Sequence, residues 1–147
     1  MLAQALAPCI RPGLVVYLSG DLGAGKTTFA RALLHAMGHA GRVKSPTYNL
    51  VEIYVISSLY LYHFDLYRFK DPIEWEEAGF REYFNPQSVC LVEWPEKAQG
   101  ILPAADLQIT LSIQETGRLA AIQANTEHGA TCLECWQTKW ETLSAPA

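Results

Sequence analysis

The chain has 147 residues, of which 50% are apolar and 18% are charged, and its net charge is −4 at pH 7. This length suits one domain with an ordinary core, and the composition excludes a disordered chain. The acidic balance argues against an independent nucleic-acid binder, and no apolar run approaches the roughly 20 residues that cross a bilayer. We therefore expect a single domain over 1–147 that contacts RNA only through a partner.

The sequence contains four cysteines, Cys9, Cys90, Cys132 and Cys135. A chain that can bury a core does not depend on a disulfide framework. The first ten residues carry no basic residue ahead of an apolar stretch, so no export signal is indicated. We therefore expect reduced thiols and a cytoplasmic protein.

Hydrophobic periodicity and turn residues divide the chain into alternating strands and helices. The predicted elements are a strand over 14–18, a helix over 26–37, a hairpin of strands over 50–56 and 59–65, a helix over 72–84, a strand over 89–93, a second hairpin over 107–113 and 118–124, and a helix over 131–143. The helix over 72–84 begins with a capping box formed by Asp71 and Glu74, and Gly79 is its weak point.

Three metal-ligand residue types occur together near the last predicted helix. His128, Cys132 and Cys135 have the spacing i, i+4 and i+7, so they could share one helix face. Zinc sites usually have four such ligands, and no second Cys or His pair completes this set. A packed terminal helix explains the segment better. Its predicted inward residues are Leu133, Trp136 and Trp140.

The loop after the first strand reads GDLGAGKT and satisfies the Walker A pattern. Small residues let backbone amides curl around an anion, and the following helix directs its free N-terminal donors at the same point. Lys26 adds a full charge, and Thr27 supplies a hydroxyl to magnesium. The strand before the loop and the helix after it are the context that this motif requires. The predicted phosphate-binding residues are Gly20, Asp21, Leu22, Gly23, Ala24, Gly25, Lys26, Thr27 and Thr28.

The order of elements around this loop predicts an α/β fold class. We expect a P-loop NTPase-like three-layer sandwich with a central mixed, largely parallel sheet and a C-terminal antiparallel hairpin. The motif-bearing part covers 14–124, and the last helix follows it.

Two apolar strands end in a carboxylate, Asp65 in one and Glu93 in the other. Such acids, at the carboxyl ends of neighbouring strands, hold the metal and orient water in phosphate-loop enzymes. Spacing alone does not decide which of the two has which role. Trp94 could stack on a base or fill the core, and the residues alone favour the core. His63 alternates within its strand and is expected to be structural.

The loop after the first predicted helix contains Lys44-Ser45-Pro46-Thr47. The Thr47 hydroxyl could reach the γ-phosphate side of the metal and act as a switch. A plain ST-turn that leads into a strand explains the same residues equally well.

Four motifs in this order resemble the TsaE family, the small ATPase of bacterial tRNA threonylcarbamoyladenosine synthesis. The motifs lie at 20–27, 44–48, 62–68 and 91–95, and the resemblance covers 14–124. It implies ATP hydrolysis in a complex with the TsaB and TsaD proteins, which transfer a threonylcarbamoyl group onto the adenosine beside the anticodon. The tRNA would be met indirectly, through that complex.

The resemblance also implies ATP and Mg²⁺ as cofactors and a role for each candidate residue. The implied roles are contact with the β- and γ-phosphates for Lys26, magnesium ligation for Thr27 and Asp65, polarisation of the attacking water for Glu93, a switch-like loop for Thr47 and proximity to the adenine for Trp94.

The leading hypothesis is a Mg²⁺-dependent ATPase that works as an accessory subunit. We expect it to be slow alone, because no arginine stands out as a donor to the transferring phosphate. A small-molecule or nucleotide kinase is the runner-up, although no arginine-rich lid is visible. A nucleotide-gated scaffold that hydrolyses nothing is the third reading, and Glu93 weighs against it. A GTPase is disfavoured because no Asn-Lys-x-Asp motif occurs.

Overall fold

The structure is a computed structural model that describes residues 1–46 and 48–146 and contains one six-stranded sheet. Its strands are β1 (Val15–Ser19), β2 (Val51–Ile56), β3 (Leu59–Asp65), β4 (Ser88–Glu93), β5 (Leu107–Gln114) and β6 (Gly117–Ala124). The spatial order is β2-β3-β4-β1-β5-β6. The four inner strands run parallel, and the outer strands β2 and β6 are antiparallel to their neighbours. The predicted mixed sheet and both hairpins are confirmed.

Helices cover both faces of this sheet. The α-helices are α1 (Leu2–Leu6), α2 (Lys26–Ala36), α3 (Pro72–Glu77) and α4 (Glu127–Ser144). Neighbouring β4 residues Leu91 and Val92 belong to different apolar clusters, so the two clusters lie on opposite faces. One cluster includes residues of α1, α2 and α4, and the other includes Trp75 of α3. The predicted three-layer sandwich is therefore confirmed.

The predicted helix over 72–84 is wrong in its second half. α3 ends at Glu77, and a separate 3-10 helix covers Phe80–Tyr83. The break occurs because Gly79 has φ of 69°, in the left-handed region that ends helices. The Asp71 cap is confirmed, since its side chain accepts a hydrogen bond from the Ile73 amide at 3.0 Å.

The last helix is longer than predicted. It begins at Glu127, not at Thr131, because the Thr126 hydroxyl caps it by accepting from the Gly129 amide at 3.0 Å. Trp136 faces the core and is 2% exposed. The expectation that Trp140 also points inward is wrong, because its side chain is 38% exposed. Within the described residues, no helix combines the length and the apolar character needed to span a bilayer.

The N-terminal segment forms a helix that the sequence did not predict, and a disulfide ties it to α4. Cys9 ends the 3-10 helix Ala7–Cys9 that follows α1, and it is bonded to Cys135 with 5.7 Å between the Cα atoms. Cys90 and Cys132 are free and buried. The expectation that all four thiols are reduced is therefore wrong for the Cys9–Cys135 pair.

Asp106 joins the start of β1 to the start of α4. Its carboxylate accepts from the Val15 amide at 2.8 Å and from the Thr126 hydroxyl at 2.7 Å. Its backbone carbonyl lies against Gly129, where an added Cβ atom would be 2.0 Å from the oxygen. α4 can therefore dock at this point only with glycine at this position.

We expect Gly129→Ala to destabilise the protein although it improves helix propensity. Alanine is about 1 kcal/mol more favourable than glycine in a helix. Forcing extra atoms into a packed contact typically costs about 1–3 kcal/mol, and a 2.0 Å approach of the new Cβ atom to a backbone oxygen should cost an amount near the top of this range. Urea denaturation of both proteins measures the difference in the free energy of unfolding.

Thr131→Ala, on the exposed face of the same helix, is the matched control. It should leave the free energy of unfolding unchanged or slightly higher, since alanine is the better helix former. A Gly129→Ala protein as stable as the Thr131→Ala protein would contradict the docking geometry.

Candidate nucleotide-binding site

The glycine-rich loop lies between the end of β1 and the start of α2. Gly20 has φ of 146°, and an added Cβ atom would lie 2.5 Å from the Leu111 carbonyl of β5. Gly25 has φ of 105° and occupies the N-cap position of α2. These two positions accept only glycine without strain, and the resulting turn exposes backbone donors at a helix N-terminus. The predicted loop conformation is thus explained residue by residue.

Lys26 is held close to the loop by three contacts. Its ammonium donates to the carbonyls of Gly20 at 2.5 Å and Asp21 at 3.0 Å, and it lies 4.2 Å from the centre of the Trp94 ring. A lysine has three donors, so one stays available for a phosphate oxygen. The side chain is 5% exposed, which strengthens its field at that point.

A hydroxyl and a buried carboxylate meet beside the loop. The Thr27 hydroxyl lies 3.1 Å from Glu93 Oε1 and 3.4 Å from Oε2. Glu93 is 2% exposed, and its Oε2 is 2.6 Å from the His63 Nε2 atom. Sequence reasoning placed His63 as a structural residue and missed this contact, because the pairing of β3 with β4 decides it.

Asp65 lies directly beside Glu93, since the two residues are register partners on the parallel strands β3 and β4. Burial raises the pKa of Asp65, an effect opposed by the hydrogen bond from the Tyr67 amide and increased by the Glu93 charge. Both predicted acids therefore lie at one edge of the sheet, next to the glycine-rich loop.

Part of the loop lines a cleft of about 430 Å³ together with Lys26, Thr27 and the two acids, whereas Gly20, Asp21 and Ala24 do not line it. Arg68 also lines it, and its guanidinium lies 5.3 Å from the centre of the Tyr48 ring. Thr28 lines it as well, and its binding of phosphate stays a prediction. Within the described residues no group of three His, Cys, Asp or Glu side chains could hold a metal alone. Oxygens from a bound phosphate would have to complete a metal site here.

Arg118 is a site residue that sequence reasoning missed. Its guanidinium donates to the Ala24 carbonyl at 3.2 Å and to the Gly23 carbonyl at 3.3 Å, so β6 holds the glycine-rich loop from outside. No motif surrounds Arg118. Only the position of the C-terminal hairpin beside β1 brings it to the loop.

A second, largely apolar cavity of about 830 Å³ adjoins the other side of the loop. Gly23, Gly25 and Thr28 line both this cavity and the cleft. Its remaining walls come from α1, α2, β5, β6 and α4, with Phe29 and Trp136 among them. A ligand that crosses the loop from the cleft would enter an apolar space.

Thr47 and Trp94 are the two remaining predicted site residues. Thr47, the candidate switch residue, lies outside the described residues. Trp94 is half-buried with φ of 58°, and its ring contacts the Lys26 ammonium and Tyr67. Its predicted place near an adenine stays a prediction.

The fold and these motifs were compared with known proteins. A sequence model of the family described as "Threonylcarbamoyl adenosine biosynthesis protein TsaE" matches residues 1–120. The chain belongs to the TsaE family. The match covers every residue of the cleft and ends before α4, so the disulfide partner Cys135 lies outside it.

Individual TsaE relatives agree with this result. The chain is similar to a Haemophilus influenzae protein named "tRNA threonylcarbamoyladenosine biosynthesis protein TsaE", with 50% identity over 84% of this chain and 78% of that one. A Bacillus subtilis protein of the same name is 44% identical over 75% of this chain and 68% of its own length. The crystal structure of Bacillus subtilis YdiB superposes with a TM-score of 0.74 at 32% identity, over 93% of this chain and 86% of that chain.

The raised pKa of Asp65 makes stability depend on pH in a defined direction. Between the unfolded-state pKa and the higher folded-state pKa, the folded protein binds more protons. The free energy of unfolding therefore falls as pH rises through this window. Above the window the buried Asp65 charge is destabilising.

We expect Asp65→Asn to raise the melting temperature at neutral pH and to weaken magnesium dependence. Asparagine keeps the Oδ1 atom that accepts from the Tyr67 amide at 3.0 Å, but it removes the charge. Loss of a group in or beside a metal site typically costs 10–100-fold in metal affinity, so the Mg²⁺ requirement of nucleotide binding should rise by about tenfold or more.

Asp71→Asn is the matched control, because asparagine caps a helix as well as aspartate does. Its melting temperature and Mg²⁺ titration should match the unsubstituted protein. An Asp65→Asn protein with an unaltered Mg²⁺ titration would assign the metal to other residues.

Proposed function

We propose that this chain is a Mg²⁺-dependent ATPase of tRNA threonylcarbamoyladenosine biosynthesis. The observation that supports this most is the meeting of Thr27, Glu93 and Asp65 beside the glycine-rich loop. These are the groups that a phosphate-loop ATPase needs for its metal and its water. The pathway is the one that the names of the TsaE relatives give for those proteins.

The residues present fit a magnesium ion. Mg²⁺ prefers oxygen ligands and is usually bound by one or two carboxylates together with substrate phosphates. Thr27, Glu93 and Asp65 offer a hydroxyl and two carboxylates at one point of the cleft. Mg²⁺ bound there would be held by these three residues and would neutralise part of the phosphate charge.

The chain's own residues provide binding and electrostatic stabilisation. The amides of the glycine-rich loop and the free Lys26 donor stabilise the charge that develops on the γ-phosphate. Trp94 keeps the Lys26 ammonium in place through its ring face. The Glu93 and Asp65 carboxylates divide metal contact and water orientation between them. The hydroxyl contact of Thr27 with Glu93 favours a Glu93 position within the metal's ligand sphere, directly or through water.

The apolar cavity beside the loop fits the nucleoside. If Thr27 and Glu93 hold the metal end of a triphosphate, the nucleoside would leave the loop at the opposite end. Gly25 and Thr28 line both spaces, and Phe29 and Trp136 offer apolar and aromatic contact surface to a purine. This placement gives Trp94 the role of a Lys26 contact in place of the base contact that the resemblance implies.

We further propose that the ATPase acts in the cytoplasm with the TsaB and TsaD proteins and is slow without them. The Arg118 guanidinium is occupied by the Gly23 and Ala24 carbonyls, which lie on the loop and not at the γ-phosphate end. Partners could complete the site by adding a cation, and such a donor raises turnover in related phosphate-loop proteins by 10³–10⁵. The tRNA is reached through this complex.

ATP hydrolysis by the purified chain, with Mg²⁺ and no acceptor molecule, tests the proposal. Lys26→Ala should lower the rate of ADP formation by about 100-fold or more with the fold retained, because loss of one preorganised donor costs about 10²–10³. Lys139→Ala, on the exposed side of α4, should hydrolyse ATP at the unsubstituted rate.

The same assay separates the competing functions. ADP that forms only after an acceptor is added would indicate a kinase. A chain that binds ATP but forms no ADP, alone or with TsaB and TsaD, would indicate the nucleotide-gated scaffold. Unchanged hydrolysis in the Lys26→Ala protein would place the active site elsewhere.

A further inference from the structure

His63 is a fully buried polar residue that the proposed mechanism has not used. It lies on β3 with 0% exposure, and its Nε2 atom is 2.6 Å from Glu93 Oε2. Its other ring nitrogen, Nδ1, is buried and has no hydrogen-bond partner among the described residues. Buried polar atoms nearly always have a hydrogen-bond partner, so the unpaired Nδ1 atom makes a histidine unfavourable at this position. The contact with Glu93 is the property that explains its presence.

The chemistry of the two groups indicates which of them donates the hydrogen bond. A carboxylate accepts hydrogen bonds, so in the pairing that we infer the His63 ring donates through Nε2. The bond holds Oε2 and leaves Oε1 directed at the Thr27 hydroxyl, 3.1 Å away. Without it, the nearly buried Glu93 carboxylate would keep only the Thr27 hydroxyl as a hydrogen-bond partner among the described residues.

We propose that His63 is a positioning residue for Glu93. It selects one Glu93 rotamer and thereby aligns the carboxylate with Thr27 and the cleft. This inference rests on the proposed hydrolysis, and it adds to it a residue that touches neither ATP nor metal. His63 acts through Glu93 alone, so its removal should change the chemical step and not the binding of nucleotide.

Substitution of His63 with and without a donor tests the inference. His63→Leu removes the donor and fills the buried space, and we expect kcat to fall by about 10–100-fold with KM for ATP within about twofold, as for other outer-shell partners. His63→Gln carries an amide donor and should recover part of this loss. His35→Gln, at an exposed histidine of α2, is the matched control and should be unchanged.

A double-mutant cycle with Glu93→Gln distinguishes positioning from a general structural effect. If His63 acts through Glu93, His63→Gln should add nothing to the loss that Glu93→Gln causes. Losses that multiply would overturn the inference, and so would a His63→Leu protein with unchanged kcat. If His63→Leu fails to fold, the Gln variant and the cycle still decide.

A readout independent of activity separates this inference from the proposed function. Nitrogen-15 NMR of the imidazole should show a proton on Nε2 of His63, with a strongly perturbed shift that Glu93→Gln removes. If the chain hydrolyses no ATP but this signature is present, the proposed function fails and the pairing stands. A His63 ring that is protonated on Nδ1 alone would overturn the pairing.

A different observation, the Cys9–Cys135 disulfide, carries a second inference. The bond joins segments 126 residues apart in the chain, and the same two segments form a wall of the apolar cavity. Next to the bond, the Trp136 indole N–H donates to the Leu2 carbonyl at 3.0 Å. Trp136 also packs on Phe29 of α2, with 6.4 Å between ring centres. The disulfide therefore fastens the wall that closes over the cavity.

The disulfide lies beside a cavity, and Cys9 itself is 2% exposed. This separate cavity, of about 360 Å³, is lined by Cys9 and Cys135 together with Arg11, His128 and Cys132. Burial raises the pKa of the Cys132 thiol to about 11. Cys132 is therefore almost entirely a protonated thiol near neutral pH and does not compete in thiol exchange.

We propose that Cys9 and Cys135 form a reversible thiol–disulfide switch that sets how firmly α4 closes the cavity. This inference rests on the proposed placement of the nucleoside there. One thiolate attacks the disulfide of an oxidant such as glutathione disulfide and releases one thiol. The second thiolate then attacks the mixed disulfide and releases the other, so two electrons pass to the oxidant; a dithiol reverses both steps.

Nucleotide binding by the intact chain, oxidised with glutathione disulfide or reduced with dithiothreitol, tests the switch. We expect reduction to weaken ATP affinity about three- to tenfold, which corresponds to a closed fraction of about 10–30%. Cys135→Ser should show the weaker affinity in both conditions. Cys132→Ser, at the neighbouring free thiol, should respond like the unsubstituted chain. Equal affinities in the two states of the unsubstituted chain would overturn the switch.

The hydrogen-exchange rates of the α4 amides test the switch without any nucleotide. Amides around Trp136 should exchange faster after reduction in the unsubstituted chain and at a constant rate in Cys135→Ser. If neither state binds nucleotide, the proposed function fails, and α4 exchange then decides the switch by itself. Exchange rates that do not change on reduction would overturn it.

Discussion

The parallel pairing of β1 with β4 is the constraint on which the candidate site depends. Its register places Leu18, at the end of β1, opposite Glu93, at the end of β4. The loop that follows β1 therefore begins beside a carboxylate, and Thr27 reaches it from the first turn of α2. The pairing of β3 with β4 adds Asp65 at the same edge. Side chains of β4 alternate between the two apolar clusters, so a slip by one residue would exchange the side chains that pack in each cluster, and this fixes the register.

A second set of contacts shapes the loop from outside. The Leu111 carbonyl of β5 leaves no room for a side chain at Gly20, and Arg118 of β6 binds two loop carbonyls. The C-terminal hairpin thus contacts the candidate phosphate site, although it carries no phosphate motif. Lys26 and Arg118 together hold four loop carbonyls, those of Gly20, Asp21, Gly23 and Ala24. The loop is preorganised in this sense, and preorganised donors are the ones that stabilise charge most effectively.

Local pattern was sufficient for most of the fold. The Walker A residues, the strand-end acids Asp65 and Glu93, and both hairpins follow from spacing and turn residues that act within a few positions. The break at Gly79 was visible as a weak point, and Trp75 and Phe80 on either side of it pack in one apolar cluster. The contacts of His63 with Glu93, of Arg118 with the loop and of Cys9 with Cys135 join distant parts of the chain. Such contacts depend on strand order and register, which single-sequence patterns do not specify.

A crystal structure with Mg²⁺ and a non-hydrolysable ATP analogue would show directly whether the glycine-rich loop and the two acids bind nucleotide and metal. We expect the phosphates on the amides of the loop at 20–27, with the metal about 2.1 Å from the Thr27 hydroxyl oxygen and within reach of Glu93 and Asp65. The purine should lie in the apolar cavity near Phe29 and Trp136. A nucleotide bound away from the loop, or a metal that contacts neither Thr27 nor the two acids, would contradict this expectation.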